Sequence, residues 1–354
     1  MQSRTVIFAE MGQPLLVENV DYDDEIAPGH AMVRNFASGV CHSQLHALHG
    51  HTNPVFPTVL GHESTGEVVA VGDGVTHITT GDKVLVGWLP RNPQPGSGKT
   101  FSTAPVRWKG EDLNGHGGIY TWSEHTLANA EFVLKVPDDT PNDVSSIIGC
   151  AVMTGSGAVT NSLNVQKGES CAVFGVGGVG LCAIAALAVR DADPIIAVDL
   201  SDEKLEFAKQ FGANVLINAR ETDPVEEILK LTEGGADYAI DAIGAPETTG
   251  QIIESVKPSQ WDGQRGGTAA IIGSGIGTQT ISSRAMLQGE KTLIGTLGGS
   301  CVPERDFPEF LRWYKEGMLD LDALVTERHP ITDINEAVGR LERGEVFGRS
   351  ILTF

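Results

Sequence analysis

Short apolar runs, each ended by glycine, proline or polar residues, fill residues 1–151 of the chain. Their apolar positions alternate or run together over about four to eight residues, which is the pattern of strands rather than helices. The clearest runs are TVIFA, LLVENV, HAMVRNFA, GEVVAVG and KVLVGW. The pattern therefore predicts a β-rich region with few helices.

One stretch of this region, 89–118, shows no hydrophobic periodicity. It is rich in proline, glycine and polar residues. Such a composition between periodic segments is typical of loops, so we expect one long irregular loop here.

Beyond residue 152 apolar strands alternate with helices. The strands are CAVF, PIIAVD, VLIN, DYAIDAIG, GTAAIIG and TLIGTLGG. The helix GLCAIAALAVRD is apolar on most faces, and the helix SDEKLEFAKQFGA has Ser201 as its expected N-cap, with acidic residues in its first turn. This alternation predicts an α/β fold with a doubly wound parallel sheet of the Rossmann type.

The length of 354 residues exceeds what one hydrophobic core usually organises, so two domains are expected. The pattern leaves open whether the C-terminal segment extends the parallel sheet or returns to the β-rich region.

Composition excludes several function classes. With 46 acidic and 25 basic residues the net charge is −21, which repels phosphate backbones and anionic lipids and disfavours nucleic-acid binding. No apolar run reaches the ~18 residues that a membrane span needs, and the N-terminus lacks a signal core. We therefore expect a cytoplasmic protein. An odd count of five cysteines argues against a disulfide framework.

A glycine-rich turn follows the strand CAVF. Gly175, Gly177 and Gly180 stand at the spacing that allows a tight turn, a close approach to a pyrophosphate and close packing of helix on strand. Asp199 ends the next strand, where a carboxylate accepts hydrogen bonds from ribose hydroxyls and repels a 2′-phosphate. The sequence therefore predicts a dinucleotide site that favours NAD over NADP.

Three residues spread along the chain have the donor chemistry of a zinc site. Cys41 lies in GVCHSQLH, His62 in GHE and Cys150 in GCAVMTGSGA. Two thiolates and one imidazole suit zinc, and three protein ligands leave a fourth position open for chemistry. The choice of these three over other cysteines and histidines rests on their motif context.

That context resembles the zinc-dependent medium-chain alcohol dehydrogenases over essentially the whole chain. The motifs GVCHSQLH, LGHE, GDKV, AVFGVGGVG, AVD and the terminal GRSILTF occur in the family's order. The resemblance implies a GroES-like catalytic domain (1–151 and 299–354) and a Rossmann NAD-binding domain (152–298). It also implies a homodimer or homotetramer, with TLIGTLGG (292–299) as a candidate edge strand.

Roles for individual residues follow from the same resemblance. Cys41, His62 and Cys150 would bind the catalytic zinc, and Glu63 could approach the metal. Ser43 would hold the alcohol proton, and His46 would form the outer end of a proton relay. The expected cofactor contacts are His42 and Arg349 at the pyrophosphate, Thr154, Val179, Ile272 and Gly273 at the nicotinamide, and Lys204 near the adenosine ribose.

Two positions depart from the family pattern. Gln44 stands where the family usually has an aspartate that orients a ligand histidine; an amide accepts a hydrogen bond but adds no negative charge. The stretch 87–118, where many members hold a second, structural zinc with four cysteines, contains no cysteine. We therefore expect one zinc per chain.

These features predict a zinc-dependent, NAD-linked alcohol dehydrogenase or aldehyde or ketone reductase, with hydride transfer between a zinc-bound alcohol and nicotinamide C4. The small-molecule substrate is left open, although Ser43, in place of the family's common threonine, favours bulkier or secondary alcohols. Alternatives are a zinc-free quinone or enoyl reductase of the same superfamily, a polyol dehydrogenase, which Cys150 disfavours, and a non-catalytic NAD-binding protein.

Overall fold

The computed structural model describes residues 1–94, 106–115, 118–260 and 263–354. Its contacts divide the chain into two compact units. The first comprises Met1–Cys150, Val302–Arg312 and Leu321–Phe354, and the second comprises Ala151–Cys301 and Trp313–Asp320. The domain boundaries given above stay predictions, and each unit is described by itself.

The chain forms eighteen strands within the described residues. The first ten are β1 (Gln2–Phe8), β2 (Leu16–Asp21), β3 (His30–Val40), β4 (Thr58–Val59), β5 (Ser64–Val71), β6 (Lys83–Val86), β7 (Val106–Trp108), β8 (Glu111–Gly115), β9 (His125–Asn129) and β10 (Val133–Lys135). The other eight are β11 (Cys171–Phe174), β12 (Ile195–Asp199), β13 (Val215–Asn218), β14 (Tyr238–Asp241), β15 (Thr268–Ile271), β16 (Thr292–Gly295), β17 (Val325–Pro330) and β18 (Arg349–Thr353).

Ten α-helices accompany these strands in the same part of the chain. They are α1 (His42–Leu48), α2 (Met153–Gly157), α3 (Gly178–Val189), α4 (Asp202–Ala208), α5 (Pro224–Leu231), α6 (Pro246–Ser255), α7 (Ser283–Gly289), α8 (Pro303–Lys315), α9 (Leu321–Leu324) and α10 (Ile334–Glu342). None of the helices that the structure describes has both the length and the apolar character needed to cross a membrane.

The first unit is β-rich, as the sequence predicts. Strands β1, β2, β7, β8 and β4 close into a barrel in that order, and a second sheet has the order β10-β6-β5-β3-β18-β17, with β9 paired to β3. The C-terminal strand β18 pairs antiparallel with β3 and parallel with β17. The last two strands of the chain therefore belong to this sheet and not to the parallel sheet.

The expectation of a single irregular loop over 89–118 is wrong, because β7 and β8 lie within it. They form a hairpin across Lys109 and Gly110, which both have positive φ (53° and 85°), as a two-residue turn of the primed type requires. Val106 and Leu113 are buried in the barrel core. Strands this short, flanked by polar residues, have no readable alternation, which is why the sequence pattern missed them. The rest of the expected loop includes 95–105 and 116–117, which lie outside the described residues.

The second unit contains a six-stranded sheet in which all neighbouring strands are parallel. Its order is β13-β12-β11-β14-β15-β16. The order reverses between β11 and β14, which is the doubly wound arrangement that binds dinucleotides at the carboxyl ends of the strands. The predicted fold class is confirmed.

Two helices of this unit have the predicted local chemistry. The predominantly buried helix α3 has all of its residues from Gly180 to Leu187 inside the core, as its apolar sequence predicts. Helix α4 is capped by Ser201, whose hydroxyl oxygen accepts a hydrogen bond from the backbone N–H of Lys204 at 3.3 Å. The N-cap expected from the sequence is therefore present.

Candidate metal and nucleotide sites

The structure brings three of the predicted metal ligands together in the first unit. The ligand atoms of Cys41, His62 and Cys150, called here the Cys–His–Cys group, all lie within 4.8 Å of one another, and the two sulfurs are 3.9 Å apart. A tetrahedral zinc with bonds of about 2.3 Å to each sulfur separates them by about 3.8 Å. The residues therefore fit zinc in both donor type and spacing.

Each member of the group is placed by a different local structure. Cys41 is the N-cap of α1, directly after β3. His62 follows Gly61, whose φ is +94° and whose place could not hold a side chain, because a Cβ there would lie 2.6 Å from the backbone nitrogen of Trp122. Cys150 lies in a π-helical turn, Ile148–Val152, an irregularity that often marks functional sites.

The two thiols of the group are buried and influence each other's ionisation. A hydrogen bond from Cys150, together with Arg349 and His62, holds the pKa of Cys41 well below its usual range. The same neighbour, Cys41, together with burial, raises the pKa of Cys150. A divalent cation held by both sulfurs would favour the ionised form of each thiol.

Glu63 and Arg349 form a buried ion pair beside this group. Glu63 is 0% exposed and Arg349 is 4% exposed. Burial alone would lower the pKa of Arg349, but Glu63 and the two thiols outweigh burial and raise it. Two buried opposite charges compensate each other, and removing one would leave the other uncompensated. Glu63, expected near the metal, is not a member of the Cys–His–Cys group, and its carboxylate contacts the Arg349 guanidinium.

Gln44 lies between two members of the group and is 4% exposed. Its Oε1 accepts a hydrogen bond from the backbone N–H of Cys41 at 2.8 Å, and its Nε2 lies 2.6 Å from Nδ1 of His62. The sequence identified Gln44 as the partner of a ligand histidine. The structure shows that its accepting oxygen serves the backbone of Cys41 instead.

Several buried polar atoms of this region have no hydrogen-bond partner among the described residues. They include the hydroxyl oxygen of Ser43, Nε2 of His62 and Nε of Arg349. Buried polar groups are nearly always hydrogen-bonded, so an atom without a partner suits a ligand from outside the protein. A metal would suit Nε2 of His62, because His62 belongs to the Cys–His–Cys group and its other ring nitrogen, Nδ1, lies against Gln44.

Ser43 and His46, the two predicted relay residues, lie on α1. Their spacing of three positions puts them on the same face of the helix. His46 is half-buried, and its ring centroid lies 5.7 Å from that of the exposed His51. The helix therefore leads from the buried hydroxyl of Ser43 towards solvent-exposed imidazoles.

The predicted glycine turn opens α3 in the second unit. Gly175 has a φ of +88°, which favours glycine, and a Cβ on Gly180 would lie 1.9 Å from the carbonyl oxygen of Gly175. A Cβ on Gly177, the N-cap of α3, would meet nothing within 4 Å among the described residues. This open space at a helix N-terminus is suited to a phosphate group.

Asp199 ties the end of β12 to this turn. Its carboxylate accepts hydrogen bonds from the backbone N–H groups of Val176 at 2.9 Å and Leu200 at 2.7 Å. A carboxylate fixed beside the glycine turn is where an adenosine ribose needs an acceptor.

The other expected cofactor residues divide between the two units. Five of them belong to the second unit: Thr154 on α2, Val179 on α3, Lys204 on α4, and Ile272 and Gly273 directly after β15. The other two belong to the first unit: His42 at the start of α1 and Arg349 on β18. Ile272 and Gly273 both donate backbone hydrogen bonds to the carbonyl of Asp241.

Sequence reasoning missed Asp241, a fully buried carboxylate at the end of β14. It accepts hydrogen bonds from the backbone of Ile243 and Gly244 and from the hydroxyls of Thr248 and Thr249. These bonds fix a turn that holds Ile243 beside Gly175. A Cβ added to Gly175 would lie 2.4 Å from Cγ1 of Ile243. An aspartate that ends an otherwise apolar strand was the available signal.

Comparison with known proteins decides the family. The sequence model described as "Alcohol dehydrogenase GroES-like domain" matches residues 27–138, and the one described as "Zinc-binding dehydrogenase" matches residues 178–316. The chain is 33% identical to the S-(hydroxymethyl)glutathione dehydrogenase of Paracoccus denitrificans over 100% of both proteins. The chain belongs to the zinc-dependent medium-chain alcohol dehydrogenase family.

Two solved structures of alcohol dehydrogenases have folds that closely match the fold of this chain. An alcohol dehydrogenase zinc-binding domain protein from Burkholderia ambifaria superposes with a TM-score of 0.90 at 30% identity, covering 100% of this chain and 99% of the other. The benzyl alcohol dehydrogenase of Acinetobacter calcoaceticus also gives 0.90, at 28% identity and the same coverage. The family resemblance stated from the motifs is confirmed.

Proposed function

We propose that this alcohol dehydrogenase is zinc-dependent and NAD-linked, and that it interconverts an alcohol with an aldehyde or ketone. The observation that supports the zinc most directly is the Cys–His–Cys group, with its two buried sulfurs 3.9 Å apart. The glycine turn and Asp199 support the dinucleotide. Each unit thus has the groups for its own half of the reaction.

Cys41, His62 and Cys150 would hold the zinc through two sulfurs and one imidazole. When bound, zinc supplies a Lewis acid that lowers the pKa of an alcohol hydroxyl, as it does for water. Because 87–118 contains no cysteine, we propose one zinc per chain. The ion pair of Glu63 with Arg349 keeps the charge beside the two thiolates balanced.

Ser43 and His46 would remove the alcohol proton. The Ser43 hydroxyl, buried and without a partner among the described residues, accepts this proton while it passes its own outwards. His46, three positions further along the same helix face, would form the outer end of this relay and release the proton to solvent. The chemistry that NAD would supply when bound is a hydride acceptor, the nicotinamide C4.

For the cofactor we propose contacts by the residues expected from the sequence. His42 and Arg349 would contact the pyrophosphate, and Lys204 would lie near the adenosine ribose. The nicotinamide would be contacted by Thr154, Val179, Ile272 and Gly273.

NAD preference should depend on the charge of Asp199. Asp199→Asn can keep the side-chain oxygen that accepts the hydrogen bond from the backbone N–H of Leu200. It removes the negative charge that would repel a 2′-phosphate. Because like charges placed together cost several kcal/mol, the preference for NAD over NADP should fall at least about tenfold. The ratio of kcat/KM for the two cofactors measures this.

A matched control is Asp202→Asn, which removes the same charge from the exposed first turn of α4. It should leave the cofactor ratio unchanged. An equal change in both variants would show that total charge, not the position of Asp199, sets the preference.

The substrate class is proposed to include bulky or secondary alcohols. Ser43 has one methyl group less than the threonine common in the family, which leaves more space beside the zinc. We expect benzyl alcohol and 2-butanol to be oxidised with kcat/KM at least as high as that of ethanol. NADH formation with the three alcohols tests the function and this preference together, and a strict preference for ethanol would contradict the latter.

We also propose a cytoplasmic homodimer or homotetramer. Strand β16 (within 292–299, the segment named from the sequence) is the terminal strand of the parallel sheet. Its backbone can therefore pair with another strand, and two copies of β16 related by a two-fold axis would extend the sheet.

A further inference from the structure

We propose that Gln44 opposes zinc at His62, and that the metal binds there only when the Gln44 amide turns over and gives up its hydrogen bond from Cys41. This inference rests on the zinc site proposed above. It makes Gln44 a positioning residue that sets how tightly the metal is held.

The orientation of the Gln44 amide is fixed from one side. The backbone N–H of Cys41 donates to Gln44 Oε1 at 2.8 Å at the start of α1. Cys41 is the N-cap and Gln44 is the third helical residue, so this is the glutamine half of a capping box. A buried N–H needs an acceptor, and an amide has only one oxygen to offer.

The other end of the amide is then its NH₂ group. Gln44 Nε2 lies 2.6 Å from Nδ1 of His62. An amide nitrogen donates and does not accept, so Nδ1 must be the accepting nitrogen of the ring. A neutral imidazole that accepts at Nδ1 has its hydrogen on Nε2.

This tautomer is the wrong one for a metal at Nε2. A metal binds the ring nitrogen that lacks a hydrogen, and the other nitrogen then donates its N–H to an acceptor. Yet Nε2 of His62 is buried and has no partner among the described residues, and His62 is a member of the Cys–His–Cys group. The group is assembled for a metal while the Gln44 contact favours the form of His62 that does not bind one.

Zinc binding therefore requires a local rearrangement. If the amide turns over, Oε1 can accept from Nδ1–H of His62, but the Gln44 NH₂ group then faces the N–H of Cys41. One buried donor loses its acceptor. A glutamate of the same length would avoid this conflict, because both of its carboxylate oxygens accept, one from Cys41 and one from His62.

The test compares the wild-type full chain with Gln44→Glu and Gln44→Met. Zinc affinity is measured by competition with a chromophoric chelator. Changes at groups that support metal ligands shift affinity roughly 10–100-fold, so Gln44→Glu should bind zinc tighter by that factor. Gln44→Met has a similar length without polar atoms. It should bind zinc no more weakly than wild type if Gln44 opposes the metal, and more weakly if Gln44 supports it.

A second measurement separates the tautomer from the added charge and from folding defects. Nitrogen-15 spectra of histidine-labelled, zinc-free full chain report which ring nitrogen holds the hydrogen, and His62 is assigned by its loss in His62→Asn. The proposal predicts a hydrogen on Nε2 in wild type and on Nδ1 in Gln44→Glu.

A hydrogen on Nδ1 of zinc-free wild type, or weaker zinc binding by Gln44→Met, would overturn this proposal and leave the zinc-dependent function standing. Failure of zinc to bind any of the three proteins would overturn both.

Discussion

Cys150→Ala is expected to lose the zinc and to lower alcohol turnover by at least about a thousandfold. The substitution removes one of two sulfurs that lie 3.9 Å apart and leaves His62 and Cys41 as the remaining members of the group. Stabilisation of developing charge by a bound metal is worth several kcal/mol, and each 1.36 kcal/mol corresponds to a factor of ten in rate. Metal content by mass spectrometry and kcat/KM measure the two effects.

Cys182→Ala is the matched control for this experiment. Cys182 is also fully buried but lies in α3 of the second unit, outside the Cys–His–Cys group. The control should keep its zinc and most of its turnover. Zinc retained in Cys150→Ala, or lost equally in both variants, would show that Cys150 is not a ligand.

Ser43→Ala should lower kcat by roughly 10²–10⁴, the usual contribution of a positioned proton-transfer group. Zinc content and NAD affinity should stay unchanged, because Ser43 is neither a member of the Cys–His–Cys group nor part of the glycine turn. The physical reason is that the alcohol proton loses the buried hydroxyl that is proposed to accept it. Stopped-flow NADH formation measures the loss.

Ser43→Thr is the control that keeps the hydroxyl. It should retain most of the turnover with ethanol while it lowers turnover of 2-butanol, because the added methyl occupies space next to the relay oxygen. Equal activity of Ser43→Ala and wild type would exclude the relay through Ser43.

Local patterns predicted the second unit well. Its parallel strands are short apolar runs that need no distant information to be recognised, and Ser201 caps α4 through a contact only three residues away. The glycine turn is also local, since a Cβ on Gly180 would meet the carbonyl of Gly175. Periodicity and turn chemistry suffice where the deciding contacts lie close in sequence.

The features that the sequence pattern missed depend on distant partners. The Glu63–Arg349 ion pair joins residues 286 positions apart, so no window of sequence could show it. The hairpin of β7 and β8 gains its stability from barrel neighbours rather than from its own alternation. Gln44 was identified as a partner of His62, but which end of its amide faces the imidazole is decided by the N–H of Cys41.

The Cys–His–Cys group is proposed to hold a single zinc that NAD-linked alcohol oxidation requires. The most direct measurement is the zinc content of the purified full chain, followed through chelation and readdition of zinc while NADH formation from benzyl alcohol is recorded. We predict one zinc per chain, loss of turnover as the zinc is removed, and recovery when it is restored. Full turnover by the zinc-free protein, or two zinc ions per chain, would contradict a single, required zinc.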